Sequence, residues 1–358
     1  MPPTLPGRLG DSNLSPKTDP RTHARIVEIL GPFGACDLPP PVPKMDINDP
    51  KSYAEWMVQS EAGLKLVYNS PKSLSVELPP VESSSVTIKG RKGNDIALHI
   101  QRPKGVSGPL PAVTYIHGGG MVINEAMLDP HVDWAKAIAA SGAISIIVDF
   151  RNALPLDPST SFPAGLHDSV DAILYLHSQR KELGISKLIA QGESGGANLT
   201  IAAALSLKQE GKTDVLDGFY ALVPYISGAY GKSDEWKLKH LPSLVECDGY
   251  MLANDGMAYM ARAYEPTGTA EENPLAWPWW ATEEDLKGLP PAVINVAELD
   301  PLRDEGLDFS RKLRRAGVNV EANIKVGLMH GTEILARDVL ETEHLAAARD
   351  IVRFANAL

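Results

Sequence analysis

Cysteine is scarce in this chain, with only Cys36 and Cys247 among its 358 residues. The two lie far apart in the sequence and make no metal-ligand spacing. Reduced thiols are the usual state of cysteine in the cytoplasm. We therefore expect a cytoplasmic protein that binds no metal.

Positive charge and long apolar runs are also lacking. The chain has 34 lysine and arginine residues against 45 aspartate and glutamate residues, which gives a net charge of −11. This balance argues against a nucleic-acid partner or an anionic membrane surface. No stretch approaches the roughly 18 uninterrupted apolar residues of a membrane span. Residues 1–7 show neither the basic nor the apolar region of a signal peptide, so we expect no association with membranes.

Apolar runs of strand length recur along the chain and alternate with helical patterns. The runs at 86–89 and 96–100 predict a hairpin, because the residues between them include two glycines and an asparagine. Further strands are predicted at 112–116, 143–148, 187–190, 219–223, 292–296 and 318–326, and helices at 132–140, 165–179, 197–207, 303–316 and 335–355. This alternation predicts an α/β class with a mainly parallel sheet and helices on both faces.

Two segments do not fit the alternation. Residues 1–84 precede most of the strand signals, and helices are predicted there at 21–30 and 52–67. The second of these helices has an apolar stripe that contains Tyr53, Trp56, Met57 and Leu64. Residues 229–275 carry a second stripe at helical spacing, formed by Tyr250, Ala253, Met257, Met260 and Tyr264. Such a stripe is more often internal packing than contact with a ligand.

A serine between glycines stands where an apolar run turns into a helical pattern. The segment is Gly192-Glu193-Ser194-Gly195-Gly196, the G-x-S-x-G spacing of a nucleophile elbow. The turn from strand to helix is sharp, and a Cβ at either flanking glycine would crowd it. The next backbone N–H lies at a helix N-terminus, which favours a developing negative charge. An ordinary glycine-rich turn is the alternative interpretation of this spacing alone.

Three glycines follow His117, directly after the predicted strand 112–116. Without side chains, the backbone N–H groups of such a loop can approach a tetrahedral oxyanion. A phosphate-binding loop is the alternative, but neither a P-loop lysine nor G-x-G-x-x-G spacing accompanies it. We expect His117 to orient the loop and not to carry protons.

A serine nucleophile needs a base, and the base needs an acidic partner. His330 and His344 lie late in the chain, and His344 falls inside the predicted closing helix. His330 follows the last predicted strand, at the carboxyl end where open α/β sheets place their ligand sites. The acidic candidates all follow strand 292–296 and are Glu298, Asp300, Asp304 and Glu305. We favour Asp300, because it lies on the turn before Pro301, where a helix can begin.

Four motifs together resemble the hormone-sensitive-lipase-like branch of the α/β-hydrolases. They are His117-Gly118-Gly119-Gly120, Gly192-Glu193-Ser194-Gly195-Gly196, Asp300-Pro301-Leu302-Arg303-Asp304-Glu305 and His330-Gly331. Their order, serine before aspartate before histidine, is that of α/β-hydrolases. The resemblance implies an α/β-hydrolase fold with an eight-stranded sheet, whose core comprises residues 85–228 and 276–358. It also implies a helical cap built from residues 1–84 and 229–275.

The same resemblance implies ester hydrolysis without a cofactor. It makes Ser194 the nucleophile, His330 the base and Asp300 the residue that orients this base. The oxyanion donors would be the N–H groups of Gly119, Gly120 and Gly195. Three places depart from the family pattern. Gly195 stands where alanine is common, residues 149–155 only partly match the D-Y-R-L-A-P-E segment that follows the fourth strand, and Thr332 stands where phenylalanine is usual.

The sequence therefore predicts a serine carboxylesterase that acts on small to medium acyl esters through an acyl-enzyme. Amide hydrolysis or another acyl transfer on the same triad is one alternative, because the chemistry is shared. A non-catalytic ligand receptor on this fold is another, although the intact serine, acid and histidine speak against it. The expected partner is a small-molecule ester, and a homodimer is an assembly that the sequence leaves open.

Overall fold

The computed structural model describes residues 5–68, 74–268 and 273–358, and one eight-stranded sheet lies at its centre. Its strands are β1 (Val81–Lys89), β2 (Asp95–Pro103), β3 (Leu110–Ile116), β4 (Ile144–Asp149), β5 (Ile185–Glu193), β6 (Gly218–Leu222), β7 (Ala292–Ala297) and β8 (Val320–Lys325). They lie in the order β1-β2-β4-β3-β5-β6-β7-β8. The pairs β1–β2 and β2–β4 are antiparallel, and all other neighbours are parallel. The predicted mainly parallel sheet is confirmed.

Helices connect the strands and cover the sheet. They are α1 (Ala24–Leu30), α2 (Pro50–Tyr68), α3 (Asp129–Ala140), α4 (Ala164–Ser178), α5 (Arg180–Leu183), α6 (Gly195–Gln209), α7 (Asp234–His240), α8 (Ser243–Glu246), α9 (Asn254–Tyr264), α10 (Glu283–Leu286), α11 (Arg303–Arg315), α12 (Thr332–Leu335) and α13 (Glu341–Asn356). None of the helices in the described ranges is long and apolar enough to cross a membrane.

Both faces of the sheet are buried, because side chains alternate between the two sides of a strand. On β3, Ala112 and Ile116 pack into a core with residues of α4, α6 and α11. Val113 and Tyr115 of the same strand pack into a second core with residues of α3 and α13. The prediction of helices on both faces is therefore confirmed, and the two cysteines are buried free thiols within the second core.

The prediction of a closing helix over residues 335–355 is wrong about where this helix begins. Helix α12 ends at Leu335, and α13 begins only at Glu341. Between them the backbone turns, and the buried Arg337 forms an ion pair with Asp133 of α3 at 2.6 Å. This long-range partner holds the segment in a turn, which helix periodicity could not reveal.

The stripe predicted in residues 229–275 is only partly helical. Helix α9 begins at Asn254, so Tyr250 and Ala253 precede it. Tyr250 instead donates a hydrogen bond from Oη to Oδ2 of Asp19 at 3.1 Å, and thereby connects this segment to the N-terminal one. The sequence pattern does not reveal this start, because residues before a helix can continue its spacing by chance.

Parallel strands bring the sequence motifs to one edge of the sheet. The carboxyl ends of β3, β5, β7 and β8 all lie at this edge. His117 follows β3, Ser194 follows β5, Asp300 follows β7 and His330 follows β8. The edge is therefore where a site built from these residues can form.

Candidate active site

Ser194 occupies a strained turn between β5 and α6. Its φ of 56° and ψ of −121° lie outside the regions that residues other than glycine usually adopt. A Cβ on Gly192 would approach the Gly196 backbone to 2.3 Å, and one on Gly196 would approach the Ile116 oxygen to 1.9 Å. The elbow (residues 192–196) thus requires glycine at both positions, and α6 begins at Gly195, directly after the serine.

Gly195 lies against the loop that follows β3. A Cβ there would come within 2.6 Å of the Met121 nitrogen and 2.7 Å of the Gly120 nitrogen. These are backbone atoms, so a side chain could not be accommodated by rotating a neighbour. The alanine that is common here in the resembling family would not fit this backbone.

The loop after β3, here called the glycine loop (residues 117–124), is folded into a tight turn. Gly119 and Gly120 have φ values of 112° and 62°, which favour glycine. The Gly119 carbonyl accepts hydrogen bonds from the N–H groups of Val122 and Ile123 at 3.1 and 3.0 Å. The carbonyl is thereby turned into the loop, and the N–H groups of Gly119 and Gly120 remain available to other partners.

His117 holds one peptide plane of this loop. Its Nδ1 lies 2.7 Å from the Gly118 oxygen, and because a carbonyl only accepts, Nδ1 carries the proton. In a trans peptide the N–H of Gly119 points away from that oxygen. Burial lowers the pKa of His117 to about 4, so the ring is neutral near pH 7. The ring stacks between His131 and Phe150.

His330 and Asp300 form a contact across two loops. Nδ1 of His330 lies 2.9 Å from Oδ2 of Asp300, and both side chains are buried. The other carboxylate oxygen, Oδ1, accepts the N–H of Leu302 at 2.9 Å. Both oxygens of Asp300 thus have donors, and the imidazole is held in one orientation.

The other acidic candidates have different partners. Glu298 accepts the N–H of Gly327 at 2.8 Å. Asp304 forms an ion pair with Arg303 at 3.0 Å and accepts the N–H of Ser243. Glu305 accepts the N–H of Ile226 at 2.6 Å and hydroxyl groups of the same loop.

His344 is likewise removed from these loops. It lies in α13, where Nδ1 contacts the Glu333 carbonyl oxygen at 2.8 Å. Its ring packs against the edge of Trp134, with centroids 5.1 Å apart. Its place inside the last helix agrees with the prediction.

A cavity of about 150 Å³ brings most of the predicted residues together. Ser194, His330, Gly119 and Gly120 lie on its wall. Gly195 lies behind this wall on α6, and Asp300 lies behind His330. Within the described ranges, no three histidine, cysteine, aspartate or glutamate side chains gather as ligands for a metal ion.

The wall also includes the polar side chains of Asn124, His131 and Glu193, and its apolar part comes largely from the two segments outside the alternation. This apolar part is formed by Leu64, Ile123, Tyr225, Met251, Leu252, Met257, Met260, Ile334 and Leu335. The interpretation of the stripe in 229–275 as packing is therefore incomplete for Met257 and Met260. Met251 and Leu252 precede α9 and belong to no periodic pattern, so no sequence signal could have found them. The buried Thr332 is absent from the wall, which Ile334 and Leu335 supply instead.

Comparison with known proteins defines the class. The family described as having the alpha/beta hydrolase fold matches residues 113–334 of this chain. The chain therefore belongs to the α/β-hydrolase family. Over 267 residues it is 32% identical to carboxylesterase NlhH of Mycobacterium tuberculosis, an alignment that covers 73% of this chain and 78% of the relative.

Solved structures extend the likeness to almost the whole chain. A brefeldin A esterase, described as a bacterial homologue of human hormone-sensitive lipase, is 44% identical with a TM-score of 0.95. That comparison covers 99% of this chain and 98% of the other. Esterase Est22 is 34% identical with a TM-score of 0.82, over 95% of this chain and 99% of its own. The resemblance to the hormone-sensitive-lipase-like branch is confirmed.

Gly195→Ala should lower kcat on the order of 100-fold, the usual cost of losing one oxyanion donor. The added Cβ must push the backbone of Gly120 and Met121 away from the elbow. Initial rates on 4-nitrophenyl butyrate measure the effect. Gly63→Ala is the matched control, because nothing lies within 4 Å of the new Cβ on α2. A Gly195→Ala protein with wild-type kcat would show that the glycine loop can move away from the elbow without loss of activity.

Proposed function

We propose that Ser194, His330 and Asp300 perform the hydrolysis of carboxylic esters in this protein. The observation that carries the proposal is the Ser194 elbow, which shares one cavity with His330 and the glycine loop. The esterase relatives support the same reaction class. Amide hydrolysis and acyl transfer use the same chemistry, and activity on matched esters and amides separates them.

The reaction begins when Oγ of Ser194 attacks the ester carbonyl carbon. Nδ1 of His330 is engaged by Asp300, which leaves Nε2 to take the serine proton. The carbonyl oxygen becomes negatively charged and accepts hydrogen bonds from the N–H groups of Gly119, Gly120 and Gly195. His330 then gives its proton to the leaving alcohol, and an acyl-enzyme remains on Ser194.

Water completes the cycle. His330 takes a proton from the water molecule, and the resulting nucleophile attacks the acyl carbon. The same N–H groups stabilise the second oxyanion. Collapse of this intermediate returns the proton to Oγ of Ser194 and releases the carboxylic acid.

The substrate class follows from the cavity wall. Apolar side chains surround a volume of about 150 Å³, which suits small to medium acyl groups. The brefeldin A esterase is so similar in fold and sequence that brefeldin A itself, a cyclic ester, belongs among the test substrates. Measuring kcat/KM for a panel of linear 4-nitrophenyl esters and for this lactone shows whether linear or cyclic esters are preferred.

We also propose that residues 1–84 and 229–275 together form a cap over the site. Tyr53 of α2 stacks on Tyr259 of α9 with ring centroids 5.6 Å apart. Tyr259 also exchanges hydrogen bonds with the backbone of Met45. Leu64 from one segment and Met260 from the other line the same cavity. Residues 1–4, 69–73 and 269–272 lie outside the described part of these segments.

Ser194 should be the sole site of labelling by a fluorophosphonate, because the elbow presents its hydroxyl to the cavity. Intact mass spectrometry should find one adduct on the wild type and none on Ser194→Ala. Ester hydrolysis should be lost in the same variant. A full adduct on Ser194→Ala would contradict the assignment, and an unlabelled, inactive wild type would favour a receptor.

Asp300→Asn should lower kcat by about 10⁴, because an amide no longer fixes the imidazole tautomer or stabilises its cation. Glu298→Gln and Asp304→Asn are matched controls, since neither carboxylate contacts His330. Their kcat should fall by less than about tenfold. If either control equals Asp300→Asn in severity, the acid has been assigned wrongly.

Leu64→Trp should shorten the acyl chain that the enzyme accepts, because the larger ring fills the cavity from the α2 side. We expect kcat/KM for an octanoate ester to fall at least about tenfold relative to an acetate ester. Val58→Trp is the control, since Val58 lies on the same helix but half-exposed and away from this cavity. An unaltered chain-length profile in Leu64→Trp would refute a cap role for α2.

A further inference from the structure

Glu193, the residue before the nucleophile, has a buried carboxyl group that the mechanism above does not use. Its Oε1 accepts the N–H of Gly118 at 2.7 Å and the hydroxyl of Tyr115 at 3.0 Å. Among the described residues, its Oε2 is buried without a hydrogen-bond partner. Oε1 therefore accepts two hydrogen bonds, whereas Oε2 accepts none from the described residues.

Among the described residues, none forms an ion pair with this carboxyl. Tyr115 faces it from β3, and His131 of α3 packs against the edge of Tyr115. The buried Glu333 of α12 also acts on it, and a negative charge there raises the pKa of Glu193. No lysine or arginine in the described ranges forms an ion pair with Glu193.

The two nearby histidines supply no positive charge either. Burial lowers the pKa of His117 to about 4 and that of His131 to about 3. For Glu193, burial raises the pKa to about 8, and the hydrogen bonds from Gly118 and Tyr115 only partly oppose this. Because Oε1 accepts two hydrogen bonds, the proton of the neutral acid belongs on Oε2.

The Glu193 carboxyl contacts the glycine loop at Gly118, directly before the proposed oxyanion donors. Gly118 lies between Glu193 and Ser194: a Cβ on it would be 3.3 Å from Oε1 and 3.2 Å from the serine Cβ. Its peptide N–H is fixed by Glu193, and its carbonyl is fixed by His117. The next N–H groups along the chain, those of Gly119 and Gly120, are the proposed oxyanion donors.

A charge at this carboxyl would oppose catalysis. The oxyanion forms near the same loop, and two negative charges repel strongly where water is excluded. The neutral acid keeps the hydrogen bond to Gly118 without that repulsion. The geometry therefore favours one protonation state of Glu193 for the reaction.

We propose that Glu193 is a positioning residue that works as a neutral acid, holding the glycine loop through Gly118, and that loss of its proton turns hydrolysis off in alkaline solution. This inference rests on the proposed esterase function. It makes Glu193 a titrating group of the site. The pH profile of kcat should thus fall at high pH, with Glu193 responsible for this alkaline limb.

The test compares the wild type with Glu193→Gln by pH-stat titration of ethyl butyrate hydrolysis between about pH 6 and pH 10. Wild-type kcat should fall above about pH 8, by tenfold per pH unit, while KM changes little. Glu193→Gln should be several-fold slower at pH 7, since its amide still accepts from Gly118 but fits the Oε2 site less well. Its kcat should not fall on the alkaline side.

Two further variants make the result specific. Tyr115→Phe removes a donor that favours the charged form, so its alkaline limb should move to higher pH. Glu305→Gln is the matched control: burial also raises the pKa of Glu305 to about 8, but its partners are Ile226, Ser227 and Tyr230. Its alkaline limb should remain where the wild type has it. Thermal melts at pH 7 and at the alkaline end show whether each variant is folded.

Several outcomes would overturn the inference. An alkaline limb in folded Glu193→Gln at the wild-type position would assign the limb to another group. Loss of activity at every pH in the folded variant would mean that the charge of Glu193 is required. If Glu193→Gln does not fold, an unshifted limb in Tyr115→Phe contradicts the inference by itself. A wild type that hydrolyses no ester at any pH would instead remove the proposed function.

Discussion

The elbow and the glycine loop meet through backbone atoms, and this contact determines the geometry of the site. Gly192 and Gly196 let β5 turn into α6 beside β3, and Gly195 lets the loop approach the helix N-terminus. Three N–H groups can then converge beside Ser194 because no side chain stands between the two segments. Every other part of the site, from His330 to the proposed cap, is arranged around that small volume.

Burial keeps the ionisable side chains next to the reacting groups uncharged. His117, His131 and Glu193 are all neutral near pH 7, because their charged forms are poorly solvated where they lie. His117 donates a hydrogen bond to the Gly118 carbonyl and Glu193 accepts one from the Gly118 N–H, which fixes two successive peptides of the glycine loop. Such an arrangement orients the loop without placing a permanent charge beside the oxyanion. It also makes the protonation state of Glu193 part of the catalytic design.

The apolar part of the cavity depends on segments that are distant in the chain. Leu64 comes from α2, while Met251, Met257 and Met260 come from the insertion after β6. Methionine side chains are flexible and polarizable, so this wall can adjust to acyl groups of different shape. The residues proposed for the chemistry lie on loops of the sheet, and most of the apolar wall comes from the segments outside it.

The sequence by itself determined the class of fold and the residues that we propose for the chemistry. Glycine spacing around Ser194, three glycines after His117 and the positions of Asp300 and His330 after apolar strands are local signals, because turns and strand ends impose local steric demands. The sequence could not determine the cavity wall, the break between α12 and α13, or the contact of Glu193 with Gly118. These depend on long-range packing: Met251 has no periodic neighbours, Arg337 finds Asp133 on another helix, and Glu193 meets the loop of a neighbouring strand. The protonation state of Glu193 follows from burial, which only the assembled tertiary structure provides.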